Sequence, residues 1–246
     1  MIKIFIDFDG TITTQDVGDA MFISFGGDIC NKYIQEYRAG NLTAVDCFNL
    51  ECHACKGTLQ ADLDIFLDRQ TINSTFTDFH RFCKEQEIPH FILSDGMDYY
   101  IKRILENNGI TDIPFFTNHL EIVPLENEIE ILFKPSFPFL DENCNRCACC
   151  KRNHMLARTA DDDIIVYIGE GYSDRCPVRY ADIVFAKDEL LTYCQQENIS
   201  FFEYRTFSDI KSRMQMLLSH KQSKKNNGLH KRRQAQLATR DVYLGG

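Results

Sequence analysis

Two carboxylates stand one residue apart where an apolar run ends near the start of the chain. The stretch KIFIDFDGTIT passes directly from the apolar residues 4–6 to Asp7 and Asp9. Two like charges at a separation of about 4 Å repel by roughly 4 kcal/mol at an effective dielectric near 20. A close ionised pair therefore needs a cation between its members. We interpret this stretch as a cation-dependent chemical site instead of an ordinary polar loop.

Three later stretches carry chemically useful side chains where a predicted strand ends or a helix begins. Ser94, Asp95 and Gly96 follow the apolar run PHFIL, Lys151 directly precedes a predicted helix, and GEGYSD follows the run DIIVYI. In open parallel sheets, ligands bind beyond the carboxyl ends of the strands. We therefore expect these stretches and the first one to meet in a single site.

The elements that position these residues alternate between strands and helices. Continuous apolar runs of four to eight residues are typical of buried strands, and the runs IKIFI, PHFILSD, DIIVYIG, IVFA and FFEY fit this description. Helical patterns of about ten residues separate the later runs, which predicts crossover connections and a parallel sheet. The segments FFTNHLEIV and EIEILF flank the turn-prone PLENE and predict an antiparallel hairpin. The expected fold class is α/β, with a Rossmann-like parallel sheet sandwiched by helices and a small β-hairpin.

The chain divides by pattern into a core, an insertion and a tail. Residues 16–86 contain several helical patterns and no convincing strand, so we predict a helical cap inserted into the core. The core is then residues 1–15 and 87–218. Residues 219–246 form a basic tail that we predict to be disordered.

Composition limits the partners and the compartment. The net charge is −9, although residues 219–246 alone carry seven Lys or Arg against one Asp. An acidic body argues against nucleic acid as the main partner, while the tail could bind polyanions through counterion release. The chain has neither an apolar stretch of about 20 residues nor the pattern of a secretion signal. We expect a cytoplasmic protein without a membrane span, and nothing in the sequence indicates its oligomeric state.

Eleven cysteines allow two interpretations. Reduced structural or redox-sensitive thiols fit a cytoplasmic protein. A four-thiolate zinc site is the alternative, because two groups of cysteines have the spacing of metal ligands. These groups are Cys52 with Cys55, and Cys144, Cys147, Cys149 and Cys150. A zinc ion joining them would fix a cap that ought to move, so we favour reduced thiols.

Together, the four stretches resemble the four motifs of the haloacid dehalogenase (HAD) superfamily of phosphohydrolases, over roughly residues 1–218. The position of the predicted cap, between the first and second motifs, is similar to that of the C1-type cap in the phosphoserine phosphatase-like subclass. The segments SDGMDYYI and CNRCACCK look like those of the 2-hydroxy-3-keto-5-methylthiopentenyl-1-phosphate phosphatases. The resemblance implies a phosphomonoesterase that acts on a small phosphorylated metabolite.

The resemblance also implies roles for individual residues. Asp7 would attack phosphorus and form an aspartyl-phosphate, a covalent strategy open to carboxylates. Asp9 would protonate the leaving oxygen and later activate water, while Lys151 would offset the repulsion between the nucleophile and the phosphate. The residues implied to bind the substrate or its phosphate are Gly10, Thr11, Asp16, Ser94, Asp95 and Gly96.

A magnesium ion is the implied cofactor, with Asp7, Asp9, Glu170 and Asp174 as candidate ligands. Glu170 departs from the superfamily pattern, which usually has Asp at this position. Since Mg²⁺ demands near-ideal octahedral geometry, the longer side chain matters. Either Glu170 reaches the ion by another rotamer or Asp174 becomes the main acidic ligand. An inactive relative that only binds phosphorylated ligands is a further possibility.

The substrate stays open at this point. GEGYSDRCP is similar to the fourth motif of phosphatases that act on phosphoethanolamine, phosphocholine or pyridoxal phosphate. Asp16 lies nine residues after Asp7, where phosphoserine phosphatase-like enzymes place an acid that meets the substrate. A carboxylate there favours a cationic or hydroxylated substrate, but Asp16 could equally cap the helix that starts near Val17.

Overall fold

A computed structural model describes residues 1–126, 128–142, 144 and 146–220. The described part of the chain forms eight strands and nine α-helices. In chain order these are β1 (Ile2–Ile6), α1 (Val17–Gly26), α2 (Asp28–Arg38), α3 (Ala44–Ala54), β2 (Thr58–Leu59), α4 (Gln60–Asp68), α5 (Phe76–Glu85), β3 (His90–Met97), α6 (Asp98–Asn107), β4 (Phe115–Pro124), β5 (Glu130–Ser136), α7 (Lys151–Ala157), β6 (Ile164–Gly169), β7 (Ile183–Ala186), α8 (Asp188–Gln196), β8 (Phe202–Glu203) and α9 (Phe207–His220).

The chain divides into two compact units. The first unit contains residues 1–7, 73–92 and the chain from 151 onward, and the second contains residues 8–72 and 93–150. The predicted basic tail lies outside the described residues from 221 onward. The predicted boundaries of core and cap stay a prediction.

A parallel sheet forms the centre of the first unit. β1 pairs in parallel with β6 on one side and with the first half of β3 on the other, and β6, β7 and β8 continue the parallel order. Ile6 at the end of β1 is in register with Ile168 of β6, so the carboxyl ends of these strands lie side by side. The predicted α/β class with a parallel sheet is confirmed.

Aromatic packing ties helices of the first unit together. The ring of Phe207, at the start of α9, lies 4.9 Å from that of Phe76 and 5.3 Å from that of Phe79, both on α5. All three side chains are fully buried. Rings at these separations contribute packing energy beyond the apolar area that they bury.

The second unit combines helices with antiparallel strands. β4 and β5 pair from His119 with Ser136 to Pro124 with Ile131, which confirms the predicted hairpin. The first three helices pack against one another, and α3 also packs on β5. The second half of β3 and α6 belong to this unit as well.

Three local predictions were wrong. The segment 16–86 is not entirely helical, because the two-residue strand β2 pairs with β5, a contact too short to leave a period in the sequence. The strand predicted over PHFILSD does not end at Asp95 but continues to Met97. One of the helical patterns expected between the later strands, around DRCPVRYA, is instead two 3₁₀ turns, Tyr172–Arg175 and Pro177–Arg179. Pro177 lacks the N–H that a continuous helix requires.

The expectations about membrane-spanning segments and about the cysteines can be compared with the structure. None of the helices within the described residues is long and apolar enough to span a membrane. All eleven cysteines are free thiols, and nine of them are buried.

Candidate active site

A buried lysine joins the two strand ends of the first unit. Lys151 is the first residue of α7, and its Nζ donates to Asp7 Oδ1 at 2.6 Å, to Asp174 Oδ1 at 2.7 Å and to Ser173 Oγ at 2.8 Å. Lys151 is 1% exposed, Asp7 5% and Asp174 0%. One ammonium therefore neutralises much of the charge of two carboxylates in a water-poor environment.

The protonation state of Lys151 follows from this arrangement. Burial alone would lower the pKa of Lys151, but the neighbouring charges of Asp174 and Asp7 outweigh it and hold the pKa well above its usual value. Lys151 consequently remains a cation throughout the physiological pH range, and its Nζ is a fixed positive charge that donates hydrogen bonds to Asp7 and Asp174.

Both carboxylate oxygens of Asp174 accept hydrogen bonds from neighbouring donors. Its Oδ1 accepts a hydrogen bond from Tyr167 at 2.6 Å as well as from Lys151, and its Oδ2 accepts from the backbone N–H of Glu170 at 2.9 Å and of Gly171 at 3.0 Å. Burial and the nearby charge of Asp174 raise the pKa of Tyr167 well above its usual value, so the phenol stays protonated and keeps donating. These four donors account for the acceptor positions of one carboxylate.

Gly169 explains why the fourth stretch begins with glycine. A methyl group built on Gly169 would lie 2.7 Å from Asp174 Cγ and 3.0 Å from Tyr167 Cε1, closer than packed atoms allow. Any side chain at this position would displace Asp174 and, with it, Lys151.

The oxygen donors of the first unit suit a hard divalent cation. Asp7 follows β1 and Glu170 follows β6, and the N–H of Asp7 donates to the carbonyl of Ile168 at 2.9 Å, so the two acids leave neighbouring strand ends. Over the described ranges, no set of three or more His, Cys, Asp or Glu side chains is arranged as a metal site. Mg²⁺ does not require one, because it is commonly held by one or two carboxylates, waters and substrate phosphate. The residues present fit Mg²⁺ in this mode.

A tight loop at the start of the second unit carries Gly10 and Thr11. The carbonyl of Phe8 accepts from the backbone N–H of Thr11, Ile12 and Thr13, at 3.2, 2.9 and 3.1 Å. Gly10 has a φ of +66°, a left-handed conformation that glycine adopts without steric penalty. Glycine at position 10 is therefore favoured by the turn itself, whether or not a ligand binds there.

The carboxylate of Asp9 accepts three hydrogen bonds within the second unit. Tyr100 Oη donates to Oδ2 at 2.8 Å and Ser94 Oγ donates to it at 3.2 Å, while the N–H of Val17 donates to Oδ1 at 3.2 Å. Val17 is the first residue of α1, so Asp9 sits at a helix N-terminus, where negative charge is favoured. Tyr100 is fully buried, and burial and the charge of Asp9 raise its pKa well above the usual value, which keeps it a donor.

The glycine of the second motif is required by this cluster. A methyl group built on Gly96 would overlap Tyr100 Oη and lie 2.6 Å from Asp9 Oδ2. The N–H of Gly96 also donates to Ser94 Oγ at 2.9 Å, which orients that hydroxyl.

Asp95 has contacts that the sequence did not indicate. Its Oδ1 accepts from the N–H of Ala148 and of Cys149, both at 2.8 Å, in the cysteine-rich loop before α7. These contacts make Asp95 an anchor for the loop that leads to Lys151. Its proposed contact with phosphate stays a prediction.

Three further carboxyl groups lie at the start of α1 and on α3 of the second unit. Asp16 caps α1 and accepts from the N–H of Asp19 at 2.8 Å, so the helix-cap interpretation of Asp16 is confirmed. Burial and the charge of Asp16 raise the pKa of Asp19 to about 7, although Arg38 opposes the shift. Burial and the charges of Asp19 and Asp16 raise the pKa of Glu51 to about 9. Glu51 is 2% exposed, and its Oε1 has no hydrogen-bond partner within the described residues.

The structure groups the sequence-predicted site residues into two sets. The first unit brings together Asp7, Lys151 and Asp174, with Glu170 adjacent through its backbone. The second unit brings together Asp9, Ser94 and Gly96, with the Gly10–Thr11 turn following Asp9 directly in the chain.

Sequence reasoning missed four side chains that contact these sets or lie beside them. Tyr100 and Tyr167 lie in patterns typical of the buried faces of a helix and a strand, so neither was predicted to contact a site residue. Glu51 and Asp19 are isolated acids on helices, and such acids usually lie on the solvated face. The signal that could have found Glu51 is its place one turn after Cys47, on the face of α3 that packs inward.

Comparisons with known proteins place the chain in a family. Residues 2–217 match the family described as "Putative Phosphatase". The chain belongs to this family. The 2-hydroxy-3-keto-5-methylthiopentenyl-1-phosphate phosphatase of Lysinibacillus sphaericus is 28% identical over 223 residues, which cover 87% of this chain and 94% of that protein. The predicted resemblance and the prediction of a phosphatase are thereby confirmed.

Two further relatives extend the comparison. The polyol phosphate phosphatase PYP1 of Saccharomyces cerevisiae is 26% identical over 238 residues, covering 89% of this chain and 95% of that protein. A solved structure described as a phospho-aspartyl intermediate analogue of phosphoserine phosphatase matches with a TM-score of 0.64 and 18% identity, over 86% of this chain and 97% of that one. This structural likeness shows a shared fold.

Replacing Gly96 with alanine tests the close packing around Asp9. The added methyl group must displace Tyr100 or Asp9, and a misplacement of about 1 Å near the reacting groups can lower the rate by about a hundredfold. We expect Gly96→Ala to reduce hydrolysis of an aryl phosphate to this extent in a folded protein. Gly171→Ala is the control, because a methyl group there meets nothing within 4 Å and should leave the rate near that of wild type. Equal rates for both variants would contradict the packing argument.

Replacing Glu51 with glutamine tests whether the Glu51 carboxyl group keeps its proton in the folded protein. The pKa of Glu51 rises from 4.5 in the unfolded chain to about 9 in the folded one, so its stabilising contribution is complete below the lower value and is lost as the pH rises through the upper one. Glutamine does not titrate. Wild type should therefore lose stability as the pH rises, while the variant does not lose this contribution. We expect the unfolding temperature of Glu51→Gln minus that of wild type to become more positive from about pH 5 to about pH 9.

Thermal unfolding of both proteins at the two pH values measures this difference. Asp62→Asn on the exposed side of α4 is the control and should follow wild type at both. A constant difference between Glu51→Gln and wild type at both pH values would show that Glu51 is not held protonated.

Proposed function

We propose that this protein is a magnesium-dependent phosphomonoesterase that hydrolyses a small phosphorylated metabolite through a phosphorylated Asp7. The observation that carries the proposal is the buried contact of Lys151 with both Asp7 and Asp174. A carboxylate at the end of a parallel strand, held beside a permanent cation, is an oriented nucleophile whose repulsion from a phosphate dianion is reduced. The family match supports the same activity.

In the first half of the proposed reaction, Asp7 attacks phosphorus and the ester oxygen leaves. A bond forms between an Asp7 carboxylate oxygen and phosphorus, while the bond from phosphorus to the alcohol oxygen breaks. Lys151 already occupies Oδ1 of Asp7, so the carboxylate is fixed in orientation before substrate arrives. Positioning of this kind is the main source of catalysis in phosphoryl transfer.

Asp9 is our candidate for the acid and base. Only Phe8 separates it from Asp7, so the covalent chain itself keeps the two α-carbons within about 7.6 Å. Asp9 would give a proton to the leaving alcohol oxygen and later take one from the water that attacks phosphorus. The contacts from Tyr100 and Ser94 hold its carboxyl group in place for both transfers.

Asp7, Glu170 and the main-chain carbonyl of Asp9 are our candidates to hold Mg²⁺. A bound Mg²⁺ supplies positive charge to the phosphate oxygens and orients them for in-line attack. Asp174 is less suited to direct ligation, because its carboxylate already accepts four hydrogen bonds. We propose that Asp174 instead positions Lys151.

Candidate phosphate contacts come from the Gly10–Thr11 turn and from Ser94. The turn presents Thr11 with a buried side chain, and Ser94 is already oriented by the N–H of Gly96. Hydroxyl and amide donors bind phosphate oxygens without adding charge. Free thiols throughout the chain agree with a reducing, cytoplasmic setting, which we also propose.

The substrate is a small phosphate ester. The relatives described above are named for 2-hydroxy-3-keto-5-methylthiopentenyl-1-phosphate and for polyol phosphates. Both names include hydroxyl groups. We take hydroxylated metabolites as the leading group to screen.

Asparagine at position 7 tests the nucleophile. Asp7→Asn keeps the size of the side chain but removes its charge, so we expect hydrolysis of p-nitrophenyl phosphate to fall to background in Mg²⁺ buffer. Asp62→Asn, at an exposed position of α4, should keep the rate of wild type. The assay follows release of p-nitrophenol by both variants and wild type, with Mg²⁺, with Mn²⁺ and with a chelator.

Two outcomes would contradict the proposal. Full activity of Asp7→Asn in a folded protein would remove Asp7 from the chemistry. A wild-type protein that binds inorganic phosphate but hydrolyses nothing with either metal would instead be a binding relative, an outcome that Glu170 in the fourth motif makes worth testing.

A further inference from the structure

The loop before α7 contains four cysteines, and the proposed reaction steps do not use it. This cysteine-rich loop comprises residues 144 and 146–150 of the described chain. The backbone N–H groups of Ala148 and Cys149 both donate to Asp95 Oδ1, each at 2.8 Å. Both loop residues are fully buried, so water does not compete for the two contacts. One carboxylate oxygen therefore holds two consecutive peptide units of the loop.

The next N–H group of the loop also has a fixed acceptor. Cys150 donates to the carbonyl of Phe139 at 3.0 Å, within the same unit. The three N–H groups that directly precede Lys151 in the chain are thus all bound. Cys149 and Lys151 are two residues apart, so the chain keeps their α-carbons within about 7.6 Å of each other. The position of the loop backbone is therefore transmitted to the start of α7.

Asn118 on β4 holds the backbone of Asp95. Its Nδ2 donates to the Asp95 carbonyl at 2.7 Å and lies 3.5 Å from Asp95 Oδ1. The Asn118 side chain is fully buried, and its Oδ1 has no hydrogen-bond partner within the described residues. A buried polar atom without a partner is unfavourable, and a leucine of similar volume would avoid this cost. We therefore attribute the amide at this position to its contact with Asp95.

The position of Lys151 decides whether one ammonium group can contact two carboxylates. Its Nζ donates to Asp7 Oδ1 at 2.6 Å and to Asp174 Oδ1 at 2.7 Å, so both contacts are short. A displacement of the start of α7 would lengthen at least one of them. A misplacement of about 1 Å near reacting groups can lower a rate by about a hundredfold.

We propose that Asp95 is a positioning residue for Lys151. It fixes the backbone of the cysteine-rich loop and, through the loop, the start of α7, while Asn118 holds Asp95 in place. The inference rests on the proposed phosphatase activity and deepens it, because Lys151 assists Asp7 in the proposed first step. It gives Asp95 a role different from the phosphate contact expected from the sequence.

Two substitutions at position 95 test this role with the full-length protein in Mg²⁺ buffer. Asp95→Ala removes the acceptor of both loop N–H groups, so kcat for p-nitrophenyl phosphate should fall by about tenfold to a hundredfold. KM should stay within about threefold of wild type, because Ser94 and the Gly10–Thr11 turn, the candidate phosphate contacts, are unchanged. Asp95→Asn keeps an oxygen that can accept both N–H groups and should retain most of the wild-type kcat.

Asp98→Ala is the matched control. Asp98 is the first residue of α6, and its Oδ1 accepts from the backbone N–H of Leu120 on β4 at 2.9 Å, while its Oδ2 contacts His119. Within the described residues, Asp98 thus makes hydrogen bonds of the same kind to β4 and none to the cysteine-rich loop. We expect Asp98→Ala to keep the kcat of wild type.

Hydrogen exchange of the loop amides gives a readout that does not depend on activity. In Asp95→Ala, exchange in the peptide that covers residues 146–151 should be at least about tenfold faster than in wild type. In Asp98→Ala it should be unchanged. Mass spectrometry of the digested protein measures both.

Asn118→Leu provides a second variant in case Asp95→Ala does not fold. Leucine keeps the side-chain volume but cannot donate to the Asp95 carbonyl. It should lower kcat and speed exchange in the loop, in the same direction as Asp95→Ala. Wild-type values of both quantities in a folded Asn118→Leu protein would show that Asn118 does not hold Asp95 for this purpose.

The outcomes separate this inference from the proposed function. A folded Asp95→Ala protein with the kcat and the loop exchange of wild type would overturn the inference and leave the phosphatase proposal intact. An equal loss of kcat in Asp98→Ala would show a general structural role, and an equal loss in Asp95→Asn would show that the charge of Asp95 matters instead of its contacts with the loop. A higher KM with unchanged kcat would restore the phosphate contact. If wild type hydrolyses no ester, the phosphatase proposal itself fails.

Discussion

The site of the first unit depends on one buried ammonium group. Lys151 Nζ lies within hydrogen-bond distance of Asp7, Asp174 and Ser173, and water is almost entirely excluded from the first two contacts. Such an ion cluster is costly to bury, and removing one partner would strand an uncompensated charge, typically at 3 to 5 kcal/mol. In return for this cost, the carboxylate of Asp7 has a fixed orientation and lies beside the permanent positive charge of Lys151.

Much of the surrounding structure serves to keep that ammonium group in place. Tyr167 on β6 and the backbone N–H groups after it hold Asp174, and Gly169 has no side chain because none would fit beside Asp174. The parallel register of β1 and β6 sets Asp7 beside the same strand end. A second set of contacts, around Asp9 and Tyr100, gives the neighbouring acid an equally defined geometry.

The sequence predicted the parts of the structure that depend on local pattern. The apolar run before Asp7 and the alternation of strands and helices are strong periodic signals. Lys151 was predicted from the family resemblance, because it precedes a helix and the strand of the fourth motif. The contacts of Tyr100 and Glu51 were not predictable in this way. Their importance comes from residues distant in sequence, such as Asp9 for Tyr100 and Asp19 for Glu51, and a single sequence contains no trace of such pairings. The two-residue strand β2 is equally invisible, because it is shorter than any period.

The central claim is that Asp7, held by Lys151, carries the phosphoryl group during turnover. Rapid acid quench of the wild-type protein with an aryl phosphate, followed by peptide mass spectrometry, measures this directly. The account predicts one phosphoryl group on Asp7, formed before steady-state product release and absent without substrate. Steady turnover with no phosphorylated protein, or with the phosphoryl group on a different residue, would contradict it.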